Sequence, residues 1–134
     1  MFGTLVNRAS GMDAMSGLTS YEQLCGELRL ALADGAVKGI LFDVDSFGGE
    51  GAGCFDLARE IAAARGAKPL HAMIDAAGCS AAYALASGAE RITMIRHGVT
   101  GSIGVIAIHG EQSRFNEKQG FTWTYVFEGA RKAD

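Results

Sequence analysis

Residues 75–88 read Asp-Ala-Ala-Gly-Cys-Ser-Ala-Ala-Tyr-Ala-Leu-Ala-Ser-Gly, and the rest of the chain is organised around this stretch. The apolar run Leu70–Ile74 before it predicts a buried strand, and the small residues after it predict a buried helix. Gly78 permits a sharp turn between the two, so Ser80 falls in the first turn of the helix. A serine there either caps the helix with its hydroxyl or acts as a nucleophile at a strand-to-helix turn.

The composition is that of a globular domain and excludes several classes of protein. The chain has 134 residues, of which 49% are hydrophobic and 20% charged, enough for one hydrophobic core. A net charge of -3 argues against a nucleic-acid-binding surface, because phosphate contacts need a basic face. No apolar run approaches the roughly 18 residues of a membrane span, and no signal-peptide pattern is present. We therefore expect no nucleic-acid partner and no membrane span in this segment.

The cysteines bear on metal binding and on the compartment. Cys25, Cys54 and Cys79 are odd in number and lack metal-ligand spacing. Two of them fall on predicted apolar helix faces, which indicates buried thiols in a reducing compartment. We expect a cytoplasmic protein without a metal ion. An anchor in a longer native chain would instead place the protein at a membrane or in the periplasm.

Predicted strands and helices alternate along the chain. Strands are expected at 2–6, 39–44, 70–74, 91–95, 102–109 and 121–127, and helices at 21–32, 51–65, 80–88 and 111–119. Thr19 and Ser20 are both candidate N-caps of the first helix. A strand–loop–helix unit recurs three times, at 39–65, 70–88 and 103–119. This alternation predicts an α/β layered fold with right-handed crossovers and no internal domain boundary.

Two glycine-bearing turns follow neighbouring predicted strands. One is Ser46-Phe47-Gly48-Gly49 and the other is Ala77-Gly78-Cys79-Ser80. The carboxyl ends of strands in an open α/β sheet are where sites form, and both turns are expected there. If Ser80 attacks a carbonyl, an amide of the Gly-Gly pair and that of Ala81 can form an oxyanion hole. A Gly-Gly pair is equally compatible with a simple turn.

A nucleophilic serine needs a base, and the sequence leaves several open. His71 lies within a predicted strand and His97 in a predicted turn, whereas His109 ends a predicted strand and suits a Ser-His arrangement. Lys132 is another option, but a lysine serves as base only when desolvation favours its neutral amine. A strand-end histidine and a solvated surface lysine are the alternatives without a catalytic role.

Four short motifs, taken in order, resemble peptidase family S49, the signal peptide peptidase A group. They are Ser46-Phe47-Gly48-Gly49, the segment 80–87, Thr100-Gly101-Ser102-Ile103-Gly104-Val105 and Glu128-Gly129-Ala130-Arg131-Lys132. The wording of the second and fourth motifs resembles most the phage-associated branch, the prohead or capsid-assembly proteases. Phe47 stands where that family usually has proline, and Cys79 where it often has a larger aromatic residue.

The resemblance implies a ClpP/crotonase-like α/β fold of stacked ββα units and a Ser–Lys dyad that needs no cofactor. Ser80 is then the nucleophile and Lys132 the general base, while the amides of Gly49 and Ala81 form the oxyanion hole and Gly48 shapes the turn. The implied substrate is a peptide or protein, and the implied partner is a second copy of the chain in a homo-oligomer. Because the family continues beyond this lysine, we expect 1–134 to be a single S49-type domain truncated at its C-terminus and clipped at its N-terminus.

Three alternatives stay open alongside this interpretation. A ClpP-like Ser-His-Asp protease would use Ser80 and His109. A catalytically silent, self-assembling scaffold would keep the fold without the chemistry. A crotonase-type acyl-CoA enzyme would share the fold and the oxyanion hole, although the turns resemble the peptidase pattern more closely.

Overall fold

A computed structural model of the chain describes residues 1–9, 16–126 and 128–129. The strands are β1 (Phe2–Val6), β2 (Leu18–Ser20), β3 (Ile40–Gly49), β4 (Leu70–Cys79), β5 (Arg91–Met94) and β6 (Val99–Gly101), and the helices are α1 (Tyr21–Ala33), α2 (Cys54–Ala63), α3 (Ala81–Ala86) and α4 (Ser113–Lys118). The strands form one sheet in the order β2-β1-β3-β4-β5, with β6 also paired to β4. All strand pairings among the described residues are parallel. The predicted α/β fold class is confirmed.

Three helices and one face of the sheet enclose the hydrophobic core. Helix α3 contacts β3 and β4, α2 contacts α3, and α1 contacts α2. The largest fully buried apolar side chains are Leu5, Val44, Ile61, Leu70, Ile74 and Leu85. Burying a side chain of this size contributes about 1.5–3 kcal/mol relative to leaving it exposed. Side chains alternate across a strand, so Leu41 and Phe47 of β3 lie exposed on the opposite face.

Polar contacts fix the ends of two helices. Ser20 is the N-cap of α1, and its Oγ accepts the N–H of Gln23 at 3.1 Å, so one of the two predicted caps is confirmed. Arg65 donates from its guanidinium to the carbonyls of Ser87, Gly88 and Ala89 at the end of α3. These bonds satisfy the backbone acceptors of the turn that follows α3.

The strands predicted at 102–109 and 121–127 are wrong where the structure describes them. Residues 102–112 and 121–126 are irregular, and Phe127 lies outside the described residues. Their apolar side chains are exposed, with Val105 at 84% and Ile108 at 91%. β-branched residues favour a strand only when a neighbouring strand and a packed face receive them. The helix predicted after this segment does form, as α4.

Other boundaries also differ from the prediction. Strands β3 and β4 each run five residues past their predicted ends, through the glycines of both turns. The three-residue strands β2 and β6 are not among the predicted strands, and β2 ends at Ser20, the cap of α1. Within the described ranges, no helix is both long and apolar enough to cross a membrane.

Candidate active site

The carboxyl ends of β3 and β4 lie side by side, as the sequence predicts. The strands pair in register from Ile40 with Leu70 to Val44 with Ile74, and the register then shifts so that Ser46 pairs with Gly78. An irregularity of this kind bends a strand and redirects its end. Asp45 holds the shifted segment in place, because its Oδ1 accepts the N–H of Ala77 at 3.2 Å.

The two glycines of the first turn allow close approaches that no side chain could. A Cβ on Gly48 would lie 2.7 Å from Cβ of Ser80 and 3.0 Å from the amide nitrogen of Ala81, and the φ of Gly48 is +104°. A Cβ on Gly49 would lie 1.8 Å from the carbonyl oxygen of Leu5 in β1. The Gly-Gly turn is therefore pressed between β1 and the start of α3, with Ser80 in direct contact.

Ser80 has a backbone conformation that serine rarely adopts. Its φ is 49° and its ψ is −121°, a region that normally favours glycine. It occupies the N-cap position of α3, but its side chain makes no capping hydrogen bond. The capping role is therefore wrong. The backbone of Ser80 is held instead, since its N–H donates to Gly101 O at 2.8 Å and its carbonyl accepts from Ala84 N at 3.0 Å.

A second serine, Ser46, is buried under the Gly-Gly turn. It is 2% exposed, its hydroxyl donates to Gly3 O at 2.6 Å, and the same oxygen accepts the Gly48 N–H at 3.0 Å. On the far side of the turn, the Glu50 N–H donates to Leu5 O at 2.9 Å. Ser46 is not among the site residues that the sequence predicts. The available signal was a serine two residues before a glycine, a spacing at which serine hydroxyls bind the backbone.

The thiols near the site are buried. Cys79 is 4% exposed, and its Sγ lies 3.7 Å from the carbonyl of Val99 on β6. Cys54 lies under α3 with its Sγ 3.7 Å from Ala81 O, and burial raises the pKa of its thiol. Since the thiolate is the reactive form of cysteine, the raised pKa disfavours Cys54 as a nucleophile.

The candidate bases have different positions. His71 Nε2 lies 2.9 Å from Thr93 Oγ1, and His97 is exposed in a turn. His109 is exposed in the irregular segment 102–112. Lys132 lies outside the described residues. Of the predicted site residues, the structure brings Gly48 against Ser80 and Ala81, while Gly49, the next residue in the chain, approaches Leu5 of β1. The described ranges contain no cluster of three or more His, Cys, Asp or Glu residues that could hold a metal ion.

Comparisons with known proteins agree on one family. The model of peptidase family S49 matches residues 62–134, which include Ser80. The capsid assembly protease C of Escherichia phage lambda is 41% identical over 132 residues, which are 98% of this chain and 30% of the phage protein. The head-tail preconnector protein of Enterobacteria phage P21 is 40% identical over 132 residues, 98% of this chain and 26% of its own.

A more distant relative comes from a cellular genome. A protein of Enterococcus faecium named as a signal peptide peptidase SppA is 30% identical over 114 residues, 84% of this chain and 33% of that protein. The chain thus spans about a third or less of the length of each of these relatives. The matched family, the parallel α/β sheet and the glycine turn pressed against Ser80 lead to the same conclusion: the chain belongs to peptidase family S49.

Proposed function

We propose that this chain carries the catalytic serine region of an endopeptidase in which Ser80 is the nucleophile and Lys132 the general base. The single observation that carries the proposal is the conformation of Ser80. Its backbone is strained, and its hydroxyl, at the end of a rigid parallel strand, does not cap the helix that follows. Strain of this kind costs about 1–3 kcal/mol and is common at active sites.

The proposed reaction is acyl transfer to water. The neutral amine of Lys132 takes the Ser80 proton while Oγ forms a bond to the substrate carbonyl carbon. The tetrahedral intermediate then breaks its C–N bond, and the lysine ammonium donates that proton to the departing amine. Water next attacks the acyl-enzyme, with the same lysine as base, and releases the acid and the free serine. The serine, the lysine, the substrate and water supply every atom and proton of this reaction, so no cofactor is needed.

The hydrogen bonds already made by the amides near Ser80 indicate which of them are left to bind the oxyanion. The Gly48 and Glu50 amides are already engaged, with Ser46 Oγ and with Leu5 O, so we assign the turn's donor to Gly49. Ala81 supplies the second donor. Its N–H precedes the first intrahelical bond of α3, from Ala84 N to Ser80 O, and so has no acceptor within the helix. Gly48 then shapes the turn rather than binding the oxyanion.

Substrate and setting are proposed from the relatives. The phage relatives are named as a capsid assembly protease and a head-tail preconnector protein. By analogy we propose a protein substrate in prophage capsid assembly, a homo-oligomeric enzyme and a cytoplasmic setting. The unpaired thiols Cys25, Cys54 and Cys79 fit a reducing compartment.

The test uses the complete native protein, a fluorophosphonate probe and a peptide substrate. Ser80→Ala should abolish both labelling and hydrolysis. Lys132→Ala should lower the acylation rate by several orders of magnitude, because a serine hydroxyl without a base is a weak nucleophile. Lys118→Ala is the matched control, since it removes a lysine from the exposed last turn of α4 and should leave the rate unchanged.

Two further variants separate the proposal from its alternatives. His109→Ala and Cys79→Ala should both keep labelling at Ser80. Loss of activity in His109→Ala with full activity in Lys132→Ala would instead favour a Ser-His protease. If the folded, assembled wild type neither reacts with the fluorophosphonate nor cleaves the peptide, the protein is a silent scaffold and the proposed dyad is wrong.

A further inference from the structure

We infer that Ser46 is a positioning residue for the oxyanion hole, acting through the turn 46–49 and not by contact with substrate. This inference rests on the proposed function. The observation behind it is a pair of hydrogen bonds made by one buried hydroxyl, which join the Gly48 amide to the carbonyl of Gly3.

The Ser46 hydroxyl donates one hydrogen bond and accepts another. A serine hydroxyl has a single proton, and here it goes to Gly3 O at 2.6 Å, which leaves the oxygen to accept the Gly48 N–H at 3.0 Å. Ser46 is 2% exposed, and its bond with the Gly48 amide is buried, whereas its bond to Gly3 O is partly buried. The turn is therefore tied to β1 by a side-chain bridge in addition to the strand pairing of Leu5 with Gly49.

Apart from the backbone pairing of this segment with β1 and β4, the other three residues add little that fixes its conformation. Phe47 does not have the pyrrolidine ring by which proline fixes φ. Its side chain is 76% exposed, so packing holds it only weakly. Gly48 and Gly49 have no side chains and the widest backbone freedom of any residue. Of the four residues, only Ser46 makes a buried side-chain contact that restricts the turn.

The position of the turn matters because it touches Ser80. A Cβ on Gly48 would lie 2.7 Å from Cβ of Ser80, so a shift of a few tenths of an ångström changes the spacing between the serine and the Gly49 amide. An oxyanion donor acts only when it lies about 2.7–3.1 Å from the developing oxyanion. The Ser46 hydroxyl also engages the Gly48 amide, which leaves Gly49 as the donor from this turn.

The experiment compares two buried serines in the complete native protein. Ser46→Ala removes the bridge, and Ser20→Ala is the matched control, since Ser20 is 5% exposed, its hydroxyl accepts a backbone N–H, and it caps α1. We measure kcat and KM for peptide hydrolysis and the Ki of a peptide aldehyde, whose adduct mimics the tetrahedral intermediate. Ser46→Ala should lower kcat about 10- to 100-fold with KM within about threefold, and weaken aldehyde binding by a similar factor. Ser20→Ala should leave kcat and Ki within about twofold, because it is a stability change outside the site.

The outcomes separate this inference from the proposed function. If the wild type neither hydrolyses peptides nor is labelled at Ser80, the proposed function is wrong, and the positioning role of Ser46 is wrong with it. If the wild type is active and folded Ser46→Ala matches Ser20→Ala in kcat and Ki, the positioning role alone is overturned. Should Ser46→Ala not fold, Ser46→Cys keeps the side-chain shape with weaker hydrogen bonds. A folded Ser46→Cys enzyme with wild-type kcat and Ki would likewise overturn the role.

Discussion

Replacing Gly48 with alanine tests whether the close approach of the glycine turn to Ser80 is needed for chemistry. The new methyl group would sit 2.7 Å from Cβ of Ser80 and 3.0 Å from Ala81 N, whereas ordinary contacts begin near 3.4 Å. The turn and the serine must therefore separate by about 0.7 Å, within the roughly 1 Å scale on which misplaced groups lose up to 100-fold in rate.

The same substitution also lowers stability, in two parts. Alanine at a φ of +104° brings backbone strain of about 1–3 kcal/mol. Packing an extra methyl into a filled site adds about 1–3 kcal/mol. We expect the free energy of unfolding to fall by about 2–6 kcal/mol and the acylation rate of the folded fraction to fall about 10- to 100-fold.

Two glycines in the same chain serve as controls for the separate effects. Gly66 has a φ of +81° with open space at its Cβ, so Gly66→Ala tests strain without contact. Gly51 has open space and no positive φ, so Gly51→Ala is a control that introduces neither backbone strain nor a close contact. Urea unfolding gives the stabilities, and the rate of fluorophosphonate labelling, normalised to the folded fraction, gives the acylation rate. If folded Gly48→Ala labels as fast as Gly66→Ala, the close approach is not required and the proposed site geometry is wrong.

The remaining predictions concern backbone strain and pH. Ser80→Gly should be more stable than Ser80→Ala by about 1 kcal/mol in urea unfolding, since glycine accepts a φ of 49° and alanine does not, while both variants lack activity; an alanine variant of equal or greater stability would contradict the strain. Hydrogen bonds from Arg29 lower the pKa of the Glu60 carboxyl, so this ion pair stabilises the fold above the unfolded pKa of about 4.3 and is lost as the pH falls through the lower folded pKa. Glu60→Gln should therefore lower the free energy of unfolding at pH 7, by less than about 1 kcal/mol because Arg29 is largely exposed, and should match the wild type near pH 3. A difference that grows on acidification would contradict this sign.

Two continuous hydrophobic runs correctly predict the central strands of the sheet. The runs 40–44 and 70–74 begin strands β3 and β4 because both are buried against helices. Their extensions through Gly48 and Gly78 escaped prediction, since glycine signals a turn although its backbone still joins a parallel ladder. The apolar segment after Gly101 shows the reverse error, because residue type alone cannot supply a partner strand.

The candidate site was predictable in composition but not in geometry. Ser80, Gly48 and Gly49 follow from two turns at neighbouring strand ends, and the structure places Gly48 against Ser80. Whether Ser80 caps α3 depends on a side-chain bond and on a φ value that no sequence pattern reports. The bridge made by Ser46 depends likewise on where Gly3 of β1 lies, 43 positions away in the chain.

The position of β4 in the sheet affects how readily its amide hydrogens exchange through local unfolding. This strand pairs with β3 along one edge and with β5 and then β6 along the other, and α3 packs against it. Amide hydrogens in such a doubly paired, covered strand exchange with solvent only through large openings, whereas the irregular segment 102–112 can exchange through small ones. We therefore expect the end of β4, next to Ser80, to be among the last described parts of the chain to exchange. Fluctuations that free the segment 102–112 leave the nucleophile and its neighbouring amides in place.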